Sequence, residues 1–164
     1  MSDLTEITEI EELTEEIPEN INSEKFLVFS ILGKLYSFPS RLISEISLFE
    51  TVYPLPLMPS FVLGVVNRYS VPYALLDIGL LFYNTPSQQN KVLILKDNID
   101  HIAFLIEDVA GITDIQPDKL YILERGIDSG ELTDAVGATF VWNEKDVFVL
   151  DINRILERIT GEAV

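Results

Sequence analysis

Short runs of β-branched and aromatic residues, each cut off by Gly, Pro, Asn, Asp or Ser, recur along the chain from Lys25 to Leu150. Turn signals about every 8–12 residues leave little room for crossover helices and point to an all-β, mainly antiparallel barrel or sandwich. The runs are 25–32, 35–38, 41–48, 62–66, 71–78, 91–96, 102–106, 109–115, 135–141 and 147–150. Hairpin turns are expected at Gly33-Lys34, 67–70, 97–101 and 143–146. Residues 79–83 suit a short helix, and Asp151 is placed to cap a final helix over 151–160 with Ile152, Ile155, Leu156 and Ile159 on its apolar face. Pro54, Pro56 and Pro59 make a rigid loop, residues 84–90 are a polar linker, and 120–132 is expected to be irregular. The linker divides a folded unit, 23–164, into halves over 23–84 and 91–150.

Charge narrows the functions open to this frame. The 164 residues carry 27 acids and 11 bases, a net charge of −16. Such a surface repels nucleic-acid backbones and anionic lipid, so neither is an expected partner. Eight of the acids fall in residues 1–22, which hold no base; 19 acids and 11 bases remain beyond them. In that acidic arm Leu4, Ile7, Ile10, Leu13 and Ile17 step by three or four residues, a helical spacing that Pro18 ends. The arm is either a solvated, disordered tail or an amphipathic helix that docks. Residues 1–24 lack the basic start and apolar core of a signal peptide, and no apolar run approaches a membrane span. With no cysteine, the chain has no disulfide, thiol nucleophile or zinc–thiolate site. A cytoplasmic protein, monomeric in isolation, is expected.

The side chains that bond-making chemistry requires are sparse. His101 is the single histidine and sits at a hairpin end, which offers neither a triad nor a metal cluster. There is no Gly-rich phosphate loop and no acid spacing of a calcium loop. Glu107 and Asp108, adjacent on a strand, would point to opposite faces. A carboxylate-based hydrolase with acids drawn from distant strands stays open, but no catalytic residue, metal or cofactor is assigned.

The order of segments resembles the CheW-type coupling proteins of bacterial chemosensory systems. Phe26-Leu27-Val28-Phe29, a Gly turn and Leu35-Tyr36-Ser37-Phe38-Pro39 are similar to the family's first hairpin. Ile43-Ser44-Glu45-Ile46, a Pro-rich spacer, Pro59-Ser60-Phe61-Val62-Leu63-Gly64-Val65-Val66-Asn67 and Leu75-Leu76-Asp77 resemble its central signature. Ile106-Glu107-Asp108-Val109, Val136-Gly137-Ala138 and Val149-Leu150-Asp151-Ile152 resemble its second half. The resemblance implies two small five-stranded SH3-like β-barrels that exchange strands, with short helices and a C-terminal helix. It also implies a non-enzymatic adaptor joining chemoreceptor tips to the regulatory domain of a CheA-type histidine kinase. A paralogue with one partner, or one serving a pilus or gliding system, is the narrower form.

Partner-binding candidates under this resemblance are Glu45, Ile43, Leu63, Gly64, Val65, Asn67, Arg68, Tyr69, Val136 and Gly137. Ile43, Leu63, Val65 and Val136 are candidates for a hydrophobic groove between the halves; Gly64 equally suits a close backbone approach. The family pattern continues after Asn67 with an apolar residue and Arg-Gly, the Arg facing the counterpart of Glu45. Counted without gaps, Tyr69 takes the Arg position and Ser70 the Gly. Arg68 is expected on the opposite strand face, reaching Glu45 only if a bulge shifts the register. Ser70 is expected to disfavour a turn with positive φ.

Overall fold

The computed structural model describes residues 22–48, 51–88, 91–96, 99–124 and 134–163. Segment 1–21, and with it nearly all of the acidic arm, lies outside the described residues, as do 89–90, 97–98 and 125–133 from the expected linker, hairpin and irregular stretch.

Eleven strands and two helices follow one another among the described residues. They are β1 (Glu24–Ile31), β2 (Lys34–Pro39), β3 (Ile43–Leu48), β4 (Val62–Arg68), β5 (Val71–Asp77), α1 (Ile78–Tyr83), β6 (Lys91–Leu95) and β7 (Ile102–Ile106). After these come β8 (Asp108–Ile115), β9 (Tyr121–Ile122), β10 (Val136–Trp142), β11 (Lys145–Leu150) and α2 (Ile152–Ala163). Two mixed sheets result, ordered β3-β6-β7-β5-β4 and β8-β1-β2-β11-β10-β9. The expected strand exchange is present: β1 and β2 join the strands after residue 107, while β6 and β7 join β3–β5. One sheet has the expected five strands; the sixth in the other is two-residue β9, inside a stretch expected to be irregular.

Both faces of the central strands are buried, which is why β6 and β7 are almost continuously apolar instead of alternating. Phe29, Tyr36, Phe38, Leu93, Leu95, Phe104 and Ile106 fill a core shared between the sheets. On its other face the five-stranded sheet encloses Val66, Tyr73, Leu75, Val92, Ile94 and Leu105. The six-stranded sheet likewise encloses Phe26, Val28, Phe140, Val147 and Val149. With few helices to cover it, a sheet buried on both faces must curl around one of them.

The two sheets repeat one pairing plan. In each, four successive neighbours pair antiparallel, antiparallel, parallel, antiparallel, so β3-β6-β7-β5-β4 corresponds to β8-β1-β2-β11-β10. Register shifts recur at matching places, Ile43/Glu45 with Val28/Phe29 opposite β8, and Val62/Gly64 with Val136/Ala138. The β4–β5 and β10–β11 turns also match: Tyr69 and Ser70 have φ of 49° and 65°, Asn143 and Glu144 φ of 51° and 63°. These two-residue turns are shorter than expected, and Ser70 adopts the positive φ that it was expected to disfavour. The twist of the paired strands demands the left-handed conformation at both turn residues and imposes it on Tyr and Ser.

Each parallel crossing ends in a carboxylate cap. Buried Asp77 accepts from the amides of Gly79 (2.9 Å) and Leu80 (3.3 Å) at the start of α1. It also takes the amide of Ser87 at 3.0 Å and its hydroxyl at 2.5 Å, so the expected polar linker is pinned at a buried serine. Asp151 caps α2 as expected, accepting from the amides of Asn153 (2.9 Å) and Arg154 (3.3 Å). Between the sheets, Lys91 of β6 meets Asp108 of β8 at 2.5 Å. The hydrogen bond from Lys91, with a second from the Val109 amide, holds the Asp108 carboxyl below its usual range. That contribution is present at neutral pH and lost as acidification passes the lowered value, and exposure to solvent keeps it small.

Asp77→Ala removes a cap and strands two buried donors of Ser87, so chemical denaturation should show a loss of about 3 kcal/mol. Ser70→Gly should raise stability by about 0.5 kcal/mol, because relief of left-handed strain slightly exceeds the added chain entropy.

Candidate functional site

The sheet order leaves β3 and β4 as the two edges of the five-stranded sheet, and a curled sheet brings its edges together. Glu45 and Arg68 meet across that seam as an ion pair, their side chains 26% and 30% exposed. The bulge at Ser44 is the cause on one side: it lets Ile43 and Ile46, three residues apart, both pack on the shared core while Glu45 turns away. On the other side Arg68 follows buried Gly64 and Val66 at intervals of two, so it faces the same interior. The expectation that Arg68 would point away is therefore corrected. Tyr69 lies beyond the strand in the turn, 82% exposed, with the Arg68 guanidinium 5.1 Å from its ring centroid.

At the corresponding seam of the other sheet, register places Gly111 where Glu45 stands and Trp142 where Arg68 stands. A Cβ added to Gly111 would lie 3.1 Å from the Trp142 ring. One seam is thus closed by opposite charges and the other by an indole against glycine. Only the first offers a partner ionic groups.

Gly64 has the structural part that close approach predicts. Its φ is 144°, and a Cβ there would sit 2.3 Å from the Tyr53 carbonyl oxygen. That clearance lets Tyr53 and Val65 exchange two backbone hydrogen bonds of 2.9 Å, laying the Pro-rich segment along β4. The segment then presents Tyr53, Leu55, Leu57 and Met58 to solvent, with Leu57 fully exposed. Sequence reasoning missed these four. The available signal was apolar residues placed between prolines, where a loop needs none.

The remaining candidates do not form one groove. Val136 is buried and Ile43 packs on the shared core, whereas Leu63 packs on the core of the five-stranded sheet. Val65 is half-buried and Asn67 exposed on the opposite face of β4 from Arg68. Gly137 faces Asp151, whose Cβ would be 3.3 Å from an added methyl, and borders a cleft of about 450 Å³ at the start of α2. The site is thus Glu45, Arg68 and Tyr69, with the exposed apolar segment anchored farther along the same strand at Val65 and Gly137 elsewhere.

The acids examined as catalytic candidates have structural partners. Glu107 accepts from the Leu32 amide, and Asp108 pairs with Lys91, so the two serve different elements. His101 is exposed in a turn at φ 48°, its ring 5.4 Å from that of Tyr73. Buried Tyr36 shares a 2.7 Å hydrogen bond with Tyr83; burial, then that bond, pushes its ionisation far above the ordinary range. Among the described residues no group of three or more metal-ligating side chains comes together.

Residues 25–160 match the sequence model of the CheW-like domain. The fold is similar to the crystal structure of the scaffolding protein TtCheW from Thermoanaerobacter tengcongensis, with a TM-score of 0.71 at 15% identity over 79% of this chain and 89% of that one. No curated protein sequence matches the chain.

A double-mutant cycle on Glu45→Gln and Arg68→Met should return a coupling of about 1 kcal/mol that shrinks with added salt. Coupling indistinguishable from zero in low salt would mean that the seam is held by backbone and core alone.

Proposed function

Because the chain belongs to the CheW-like domain family, we propose that it is a non-enzymatic chemotaxis scaffold linking chemoreceptor tips to the regulatory domain of a CheA-type histidine kinase. The observation that carries this reading is the Glu45–Arg68 pair, half-buried, with exposed Tyr69 lying against the Arg68 guanidinium. A partly exposed arginine–carboxylate pair beside an exposed tyrosine has the residue types enriched in protein-binding hot spots. The resemblance gives the acid–arginine pair a place near the receptor and kinase surfaces, and here Arg68 supplies the cation that an ungapped count assigns to Tyr69.

The coupling mechanism follows from rigidity. One core joins the sheets and each sheet encloses another, so two partners bound at separate surfaces are held at a fixed separation and angle. A receptor whose tip contacts differ between ligand states then biases the kinase equilibrium by the difference in those contacts. Among the described residues no helix is long and apolar enough to cross a membrane, and the reading places the protein in the cytoplasm, recruited to receptor arrays. The narrower reading is a paralogue with one partner, in which exposed Tyr69 beside the ion pair alters one of the two contacts.

Calorimetry with a kinase regulatory domain and a receptor tip from the same organism tests both readings. Micromolar affinity for each is expected. Arg68→Glu should weaken at least one by tenfold or more, and the charge swap Glu45→Arg with Arg68→Glu should recover thermal stability without recovering binding. Binding to the kinase alone, with receptor affinity gained by Tyr69→Arg, would establish the narrower reading; binding to neither would defeat both.

A further inference from the structure

We infer that the acidic segment 1–22 is a ligand of its own domain, laying its apolar stripe into the cleft at the start of α2. The chain enters the described body beside that cleft: Glu24, at the beginning of β1, bonds through its carboxylate to Nε of Arg41 at 2.6 Å, and Arg41 lines the cleft. Leu42, Leu150 and Ile152 give the cleft an apolar lining, and Ile122 stands 72% exposed at its border. Its cations are Arg41 and Arg154. Arg154 is fixed by donating to the carbonyls of Val136 (2.8 Å) and Leu123 (3.3 Å), so its charge needs no further ordering to meet an anion. Asp151 is the acid of the lining. Its carboxylate is already engaged by the α2 amides and by Arg154, 3.7 Å away, which reduces its repulsion of an acidic occupant.

Segment 1–22 matches this cleft in apolar pattern and reach, and its acids can compete with Glu24 and Asp151 for Arg41 and Arg154. Ile7, Ile10, Leu13 and Ile17 fall within about 120° of arc on one helix face, with Leu4 about 60° beyond it, and the segment carries eight acids and no base. A helix ending before Pro18 would be about 25 Å long, and the residues from Pro18 to Asn22 can span about 17 Å back to the entry point. Helix-in-groove docking needs this combination of periodic anchors and opposite charge at the rim. Tethering supplies an effective concentration near millimolar, so a weak contact suffices. A docked segment excludes any other helix from the cleft, which makes it a built-in competitor. The inference concerns this chain alone and does not depend on the coupling reading.

The absence of cysteine allows a unique nitroxide label at Thr8→Cys, on the helix face opposite the stripe, in the full chain. In a nitrogen-15 spectrum the amides of Arg41, Gly137, Ile152 and Arg154 should lose more than half their intensity. Adding Ile10→Asp and Leu13→Asp, which put charge on the docking stripe and lie outside the described residues, should restore them. Uniform loss, loss centred on another surface, or loss unchanged by the two aspartates would overturn the inference. So would equal broadening of an unlabelled nitrogen-15 chain mixed with labelled nitrogen-14 chain, since the occupant would then be a second copy.

Discussion

Burial of the sheets on both faces is the constraint from which the rest of this architecture follows. Strands as apolar as β6 and β7 cannot leave a face in water, and two short helices cannot cover two sheets. Each sheet therefore shares one face with its neighbour and wraps the other around a core of its own. Wrapping requires sharp local twist, and the paired register shifts at corresponding positions of both sheets supply it. It also creates a seam in each sheet where the ladder ends. What fills that seam is left to side chains, and there the two sheets differ.

The difference shows how one plan acquires two surfaces. Gly111 and Trp142 close their seam with carbon against carbon, which stabilises the sheet and gives a partner little to grip. Glu45 and Arg68 close theirs with charges that water still reaches. A partly hydrated ion pair adds little to folding and leaves ionic groups at the surface. Gly64 completes the surface by allowing an apolar loop to lie against the same sheet.

Most of the fold was legible because its signals are local. Strand runs, the Asp151 cap and the helix over Ile78–Tyr83 depend on neighbouring residues and were read within a residue or two. The turns came out longer than they are because Tyr69-Ser70 and Asn143-Glu144 carry no glycine, and the twist of the strands overrides that cue. Arg68 was assigned to the wrong face for a related reason. Its direction depends on parity from Gly64 and Val66 and on a bulge in another strand at Ser44, neither of which an ungapped count contains. The apolar residues of the Pro-rich loop were passed over because their exposure depends on where a missing Cβ lets the loop settle.

Strand exchange has a consequence for synthesis on the ribosome. The five-stranded sheet is built from one continuous stretch, β3 to β7, and can close as soon as that stretch has emerged. The six-stranded sheet cannot, since β1 and β2 are made first and must wait for β8, β10 and β11. During that interval Phe26, Val28, Phe29 and Phe38 lie on a hairpin with both edges unpaired. The nascent chain thus carries its most aromatic hairpin as its longest-lived unprotected element, where chaperone occupancy or misassociation would concentrate.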